Sequence, residues 1–322
     1  MNYKLKKISG DASFREFYRL KKKNKTSIIV FTKKEKNKNL IVYSIVNNIL
    51  NSNKINAPKL IQSYYKNNMI EISDLGDKSF FDYIISKKNK INDYKSLIKI
   101  IFKLQKIKLK KSYRLGKFKV KFSKYTLNNL HKESDLFFDW FLRYFLKNKN
   151  KNKNKIKRLL RNELSKVYKK LHFKNDNFVH RDFHASNIMI YKKKLGLIDS
   201  QDAIIGNPLY DVASLIDDVR IKLPRNLQNK LFKFYWQGSK YKNEQEEKLN
   251  NDFDILSVHR NLKILGIFVR LWKRDNKPNY LKFLPYTWVL IERRLKNPIF
   301  KNLSLLMQNN LPIKKLKRLK KI

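Results

Sequence analysis

The sequence predicts an α+β fold in two lobes: a small β-rich N-terminal lobe over residues 1–72 and a larger, mainly helical C-terminal lobe over residues 78–322, joined by a hinge at 73–77. Three observations carry this. Short apolar runs of strand character crowd the first 72 residues. Helical periodicity dominates from Phe80 onward. Between the two lies a short polar segment with one glycine, SDLGD at Ser73–Asp77. Period-two patterns mark half-buried strands and period-3.6 patterns mark amphipathic helices, so the change of period marks the change of architecture.

Phe14–Leu20 alternates roughly, and Ser27–Thr32 (SIIVFT) reads as a buried strand. Lys38–Leu50 places Leu40, Ile41, Ile45, Val46, Ile49 and Leu50 at helical spacing. Ala57–Pro58 breaks the chain, and Tyr64–Ile72 reads as strand, turn and strand around Lys66–Asn68. Phe80–Ser86, Tyr94–Leu109 and Phe122–Leu146 follow as helices, the last with a broken pattern. KNKNKNKNK at Lys147–Lys155 is a low-complexity loop, and Ile156–Leu171 is helical again. Asp211 is placed to cap a helix over Val212–Val219. Ile255–Trp272 is the strongest apolar helix of the C-terminal part, and KKLKRLKK at Lys314–Lys321 is a basic amphipathic end.

With 322 residues and 42% hydrophobic content the chain can bury a large core. Lys and Arg number 75 against 26 Asp and Glu, giving a formal charge of +49. Such a charge suits nucleic acid, yet it is spread along the whole chain and accompanied by abundant Asn, Ile, Phe and Tyr. That joint skew fits compositional drift toward A/T-rich codons and argues against a nucleic-acid partner. The field still attracts anionic ligands. No cysteine is present, which excludes disulfides, Cys–zinc sites and thiol catalysis. The five histidines (131, 172, 180, 184, 259) form no HExxH pair. No apolar run reaches spanning length and the N-terminus has no signal-peptide core, so a cytoplasmic protein without a membrane span is expected. No feature of the sequence sets an oligomeric state.

The stretch carrying chemistry is FVHRDFHASNIMIYKKKLGLIDSQD, residues 178–202. Asp182 sits in a polar loop after the apolar pair Phe178–Val179. Asn187 leads into the apolar run Ile188–Tyr191. The Lys-rich turn Lys192–Lys194 precedes a second strand, Leu195–Ile198, that ends at Asp199. A hairpin of this kind brings Asn187 and Asp199 together. Phosphoryl transfer needs in-line positioning and cancellation of charge. Asn187 and Asp199 supply oxygen donors of the kind Mg²⁺ prefers, and Asp182 can orient an acceptor hydroxyl and receive its proton. An ordinary hairpin with solvated loop acids is the plainer alternative. ATP would need a loop over its phosphates, for which Ser9–Leu20 (SGDASFREFYRL) offers Ser13, Phe14 and Arg15. Adenine would meet the backbone near Ile72, Ser73 and Leu75. The cation on the phosphates is Lys33 or Lys34 after the SIIVFT strand, or Arg15 or Arg19. No partner Glu stands on the helix at Lys38–Leu50.

HRDFHASN followed by IDSQDAIIGNPLYDVA at Ile198–Ala213 resembles the aminoglycoside phosphotransferase and choline kinase superfamily and departs from protein kinases, which usually carry Lys at the place of His184 and D-F-G at the second Asp. A narrower resemblance, to bacterial anomeric kinases of N-acetylmuramate and N-acetylglucosamine, runs in order through SGDASFREFYRL, ISDLG, KESDLFFDWF at Lys132–Phe141, the two catalytic segments, and RNLKILGIFVRLWKRDNKPNY at Arg260–Tyr280. It implies a bilobal protein-kinase-like fold acting as one unit, with a sugar as small-molecule substrate and ATP and Mg²⁺ as cofactors. It further implies Asp182 as base and Asn187 and Asp199 as metal ligands. Glu133, Trp140, Arg270 and Arg274, with Asp135 and Asp275, lie in its acceptor-side blocks, and His180 and Asp211 take supporting roles. Ser200 replaces Phe, Ser186 replaces Arg and Asn207 is inserted before Pro208, so the reaction class follows more directly than the sugar. A same-fold kinase for an aminoglycoside, choline or homoserine, and a non-catalytic basic nucleic-acid-binding protein, stand as alternatives.

Overall fold

A computed structural model of the chain describes residues 3–8, 15–23, 25–32, 38–145 and 153–311. The mixed helix-and-sheet architecture expected from the sequence is present: a five-stranded N-terminal sheet and a helical C-terminal part. The chain divides into two compact units. One comprises Met1–Ser123 and Asn177–Ile205, the other Lys124–Asp176 and Gly206–Ile322.

In the first unit β1 (Tyr3–Ile8), β2 (Arg15–Lys22), β3 (Lys25–Thr32), β4 (Leu60–Tyr64) and β5 (Met69–Ser73) form an antiparallel sheet in the order β1-β2-β3-β5-β4. Val30, Ile70 and Ile72 on one face pack with Leu40 and Tyr43 of helix α1 (Lys38–Ser52), which is why α1 needs its apolar stripe. Asn68, left-handed at φ +55°, closes the turn between β4 and β5. The buried carboxylate of Glu71 on β5 accepts from Ser27 Oγ at 2.6 Å, which meets the requirement that a buried charge be hydrogen-bonded.

Ser79 caps α2 (Phe80–Ile85) by accepting from Asp82 N. Helix α3 spans Ile91–Gln105 rather than Tyr94–Leu109, and buries Tyr94, Leu97, Ile98, Ile101 and Leu104. A hairpin of β6 (Tyr113–Leu115) and β7 (Phe118–Val120) was not anticipated, because three-residue strands are too short to show alternation. The unit is completed by β8 (Asn177–Val179), which pairs with β11 (Ile204–Gly206), and by the hairpin β9 (Ile188–Tyr191) and β10 (Lys194–Leu197). Lys192 and Lys193 both have positive φ, +49° and +59°, as a two-residue hairpin turn of type I′ requires. Ile190 N donates to Lys78 O and Leu197 N to Asn56 O, both at 2.8 Å, so the hairpin is tied to the N-terminal segment.

The second unit holds α4 (Leu127–Leu136), a π-helical turn at Phe137–Leu142, α5 (Arg143–Phe145), α6 (Lys153–Tyr168), α7 (Tyr210–Ile216), α8 (Arg225–Gly238), α9 (Glu246–Asp275), α10 (Leu284–Arg294) and α11 (Lys301–Asn310). Several expectations need correction. Phe122–Thr126 is not helical: Thr126 closes a capping box with Asn129, which starts α4 at Leu127. Asp211 is not an N-cap but sits within the first turn of α7, where the helix dipole favours its charge. Lys153–Lys155 belong to α6; residues 147–152 and the basic end at 314–321 lie outside the described residues. Helix α9 begins nine positions before Ile255 and ends at left-handed Asn276, followed by Pro278. Among the described residues, no helix is long and apolar enough to cross a membrane.

One buried ion network bears on stability. Arg294 donates to both oxygens of Asp217, at 2.9 and 3.0 Å, and to Asp254 Oδ1 at 3.3 Å. Asp217 also accepts from Gln228 and Ser257. Asp254 is the lesser partner, and burial pushes its carboxyl up to about 6 against the downward pull of Arg294. Between the ordinary carboxyl range near 4 and pH 6, the folded state binds more protons here than the unfolded state. The contribution of Asp254 to stability is therefore lost as pH rises through that window. The thermal midpoint of Asp254→Asn relative to the parent is expected to move in the variant's favour, by about 2–4 °C between pH 4.5 and 7. A difference that stays flat across that range would contradict it.

Candidate active site

Strand β8 delivers the chain into the loop that carries Asp182. His180, fully buried at its end, is pushed down to about 4 by burial, against the upward pull of Asp182 and of a bond with the Ile198 backbone. Its imidazole is thus a neutral spacer at ordinary pH. Arg181 adopts φ +72° and donates to Asp202 O at 3.2 Å. The turn leaves Asp182 partly exposed. The Asp182 backbone carbonyl accepts from His184 N and from Asn187 Nδ2, each at 3.0 Å. One residue therefore supplies both the carboxylate and the anchor that orients the Asn187 amide. Pairing of Leu197 with Ile188, and the 3.0 Å bond from Ile198 N to Asn187 O, then set Asn187 beside the end of β10.

Asp199 follows β10 in the left-handed region at φ +61°, an uncommon conformation for a non-glycine residue that turns its side chain out of the strand direction. Its Oδ1 accepts from Arg15 at 2.9 Å and from Gln201 Nε2 at 3.1 Å, while Arg15 also donates to Gln201 Oε1 at 2.8 Å. Burial raises the Asp199 carboxyl above its ordinary value, Arg15 opposes this, and the Asp182 carboxylate is near enough to raise it further. Asp182, Asn187 and Asp199 thus meet on one side of the first unit, with Arg15 of β2 in the same cluster. Of the two strand arginines, Arg15 reaches Asp199, whereas Arg19 is engaged by Asp74, at 2.6 and 3.1 Å, and by Asp77 at 2.5 Å. Gln201 was overlooked in the sequence, where an uncharged side chain beside two acids gave no cue.

Ser13, Phe14, Lys33 and Lys34 lie outside the described residues. Ile72 is in the sheet core and Leu75 is buried. The backbone N–H of Ser73 donates to Lys59 O, and its hydroxyl accepts from Lys59 N, each at 2.8 Å. Asp74 Oδ1 accepts from Gly76 N, forming a turn that Gly76 completes at φ +80°.

In the second unit Glu133 is buried, with Oε2 accepting from Tyr125 at 2.7 Å and Tyr210 at 3.2 Å, and lying 3.1 Å from His259 Nε2 and 3.2 Å from Lys263 Nζ. Trp140 is half-buried in the π-helical turn. Arg270 is half-buried on α9, and burial lowers its guanidinium pKa. Arg274 is exposed and donates to Asp275 at 2.8 and 2.9 Å. Asp135 pairs with Arg161 at 3.0 Å. Asp211 is buried. Asn207 has a local purpose: its Nδ2 donates to Asp252 Oδ2 at 2.6 Å, on the carboxylate that also accepts from His172 N and Phe173 N.

The residues of the first unit fit a magnesium ion. Among the described residues, the bonds to Asp199 from Arg15 and Gln201 both fall on Oδ1, leaving Oδ2 for a cation. Asn187 uses Nδ2 as donor, which leaves Oδ1 facing away from that bond. Two hard oxygens are what Mg²⁺ takes from a protein when phosphates and water complete its shell. No group of three or more His, Cys, Asp or Glu suited to a metal exists among the described residues, so an all-protein cage is not what this site offers.

The profile of the phosphotransferase enzyme family (APH) matches residues 4–243. The chain belongs to this family. A curated relative, the N-acetylmuramate/N-acetylglucosamine kinase of Pseudomonas aeruginosa, is 25% identical over 300 residues, covering 89% of this chain and 83% of that protein. Among solved structures, choline kinase LicA from Streptococcus pneumoniae superposes with a TM-score of 0.62 at 14% identity, over 94% of this chain and 93% of that one. Amicoumacin kinase hAmiN, in complex with AMP-PNP, Ca²⁺ and Ami, superposes with a TM-score of 0.62 at 11% identity, over 93% of this chain and 91% of that one. The fold of this APH-family phosphotransferase is the protein-kinase-like one.

Proposed function

We propose that this phosphotransferase uses ATP and Mg²⁺ to phosphorylate the anomeric hydroxyl of N-acetylmuramate or N-acetylglucosamine, a step of cell-wall sugar recycling in the cytoplasm. The observation that carries the reaction class is the meeting of Asp182, Asn187 and Asp199 around the β9–β10 hairpin, with Arg15 on the same carboxylate. The acceptor is supported by similarity to the sugar kinases over most of the chain.

Asp182 takes the proton of the anomeric hydroxyl as its oxygen attacks the γ-phosphorus. The bond from that phosphorus to the bridging oxygen breaks, giving sugar 1-phosphate and ADP. Asn187 and Asp199 would hold a magnesium ion, which when bound would supply neutralisation of the phosphate charge. Arg15 orients Asp199 and adds positive charge beside the phosphates. Residues 1–72 with the hinge at 73–77 bind the nucleotide, and residues 78–322 carry the catalytic and acceptor-binding groups. Trp140, Arg270 and Arg274 are acceptor contacts on the strength of the sequence resemblance.

The test is incubation of purified protein with ATP, Mg²⁺ and each sugar, with phosphorus NMR for an anomeric phosphate, beside a panel of choline, ethanolamine, homoserine and aminoglycosides. Formation of a sugar 1-phosphate is expected. Turnover confined to a different acceptor would replace the sugar assignment and leave the reaction class standing.

A further inference from the structure

Helix α1 carries no Asp or Glu. What it turns toward the Asp199 segment is a neutral, buried pair. Asn47 is 1% exposed, and its Oδ1 accepts from Ser200 Oγ at 2.7 Å across 153 residues of sequence. Tyr43, one helical turn earlier, is buried and lies close to both the Asn47 side chain and the Asp199 backbone. Burial pushes the Tyr43 hydroxyl up to about 12, so it stays neutral. Ser200 itself is wholly buried. The Asp199 segment is thus held by two hydrogen bonds, its carboxylate by Arg15 and the following residue by Asn47, with the buried Tyr43 close to its backbone. Its left-handed backbone persists only if neighbours over-determine it, and these contacts do so.

Building on the role given to Asp199 above, we infer that Tyr43 and Asn47, acting through Ser200, are positioning residues that aim the Asp199 carboxylate at a magnesium–nucleotide complex. The device belongs to this chain's own residue choice. Ser200 donates a hydrogen bond that an apolar side chain at this position could not make. A filler serving packing alone would need no such bond, and it would not join α1 to the residue between the two, Asp199 and Gln201, that Arg15 bonds.

Binding of AMP-PNP is the readout, measured by calorimetry across a Mg²⁺ titration and again in EDTA, so the result does not depend on turnover or on the acceptor. Ser200→Ala and Tyr43→Phe each delete one hydroxyl, and Asn47→Ala removes the shared partner. Each is expected to weaken the Mg²⁺-dependent part of binding about 10-fold, as loss of an outer partner of a metal ligand does, with binding in EDTA unchanged. The double variant Asn47→Ala/Ser200→Ala should be no weaker than the worse single variant, because both cut one link. Thermal midpoints identify any variant that fails to fold, and the two hydroxyl deletions leave the backbone and most of the packing in place. Folded Ser200→Ala and Tyr43→Phe proteins with the parent's Mg²⁺ dependence would overturn the inference, as would fully additive losses in the double variant. A parent whose nucleotide binding ignores Mg²⁺ would remove the reading of Asp199 itself.

Discussion

Asp182→Asn is expected to slow phosphoryl transfer by about 10²–10⁴-fold, the range a positioned general base supplies, while AMP-PNP binds in the presence of Mg²⁺ as tightly as to the parent. The substitution exchanges one carboxylate oxygen for an amide nitrogen and changes nothing in the backbone. It is the backbone carbonyl of residue 182 that accepts from His184 N and Asn187 Nδ2, so the anchor of the proposed magnesium ligand survives. The Asp182 charge raises the Asp199 carboxyl toward protonation, and removing it leaves Asp199 at least as ready to bind a cation. Base and metal site are therefore separable although they share one loop. A kcat within a few-fold of the parent would remove Asp182 from the mechanism. A parallel loss of nucleotide affinity would show that its carboxylate serves the metal instead. Asp199→Ala is expected to give the complementary pattern, since it removes the proposed magnesium ligand and a partner of Arg15 together.

The β9–β10 hairpin was legible because everything that makes it lies within 25 residues. An apolar pair leads into a polar loop, two short strands follow, and a Lys-rich turn separates them, so the hairpin brings Asn187 and Asp199 together. Arg15 was only one of several cations on offer, because it reaches Asp199 across 184 residues in a chain with 75 Lys and Arg. Nothing local distinguishes it from Arg19, which the fold commits to Asp74 and Asp77. Asn47 was hidden for a different reason. It interrupts an apolar helix face, and an interruption reads as noise until the buried hydroxyl of Ser200 is found opposite. The early turns of α9 were missed because Leu249 is the single apolar residue of Glu246–Asn251. Acids in the first turn start that helix, and its apolar periodicity becomes evident only further on.

Gly266→Ala is expected to be the most damaging single-methyl change in the second unit. In an isolated helix the substitution would stabilise by about 0.8–1.0 kcal/mol, because glycine loses the most backbone freedom on ordering. Here α9 lies against the joint between α4 and the π-helical turn. A Cβ on Gly266 would stand 2.2 Å from Leu136 O, 2.3 Å from Leu136 C and 2.7 Å from Phe137 N. All three are backbone atoms, so no side chain can rotate away. Either α9 moves outward or the joint unwinds, and each course disturbs buried neighbours such as Phe137, Leu262 and Leu265. Overpacking usually costs about 1–3 kcal/mol, and a collision between two main chains belongs at or above the upper end. The thermal midpoint should fall by about 6–12 °C, taking 2–4 °C per kcal/mol for a domain of 150–250 residues. Gly116→Ala serves as the comparison: its Cβ would meet nothing within 4 Å, and only the left-handed backbone at φ +55° opposes it. If Gly266→Ala melts at or above the parent's temperature, α9 does not press on that joint, and the place of RNLKILGIFVRLWKRD in the helical core must be redrawn.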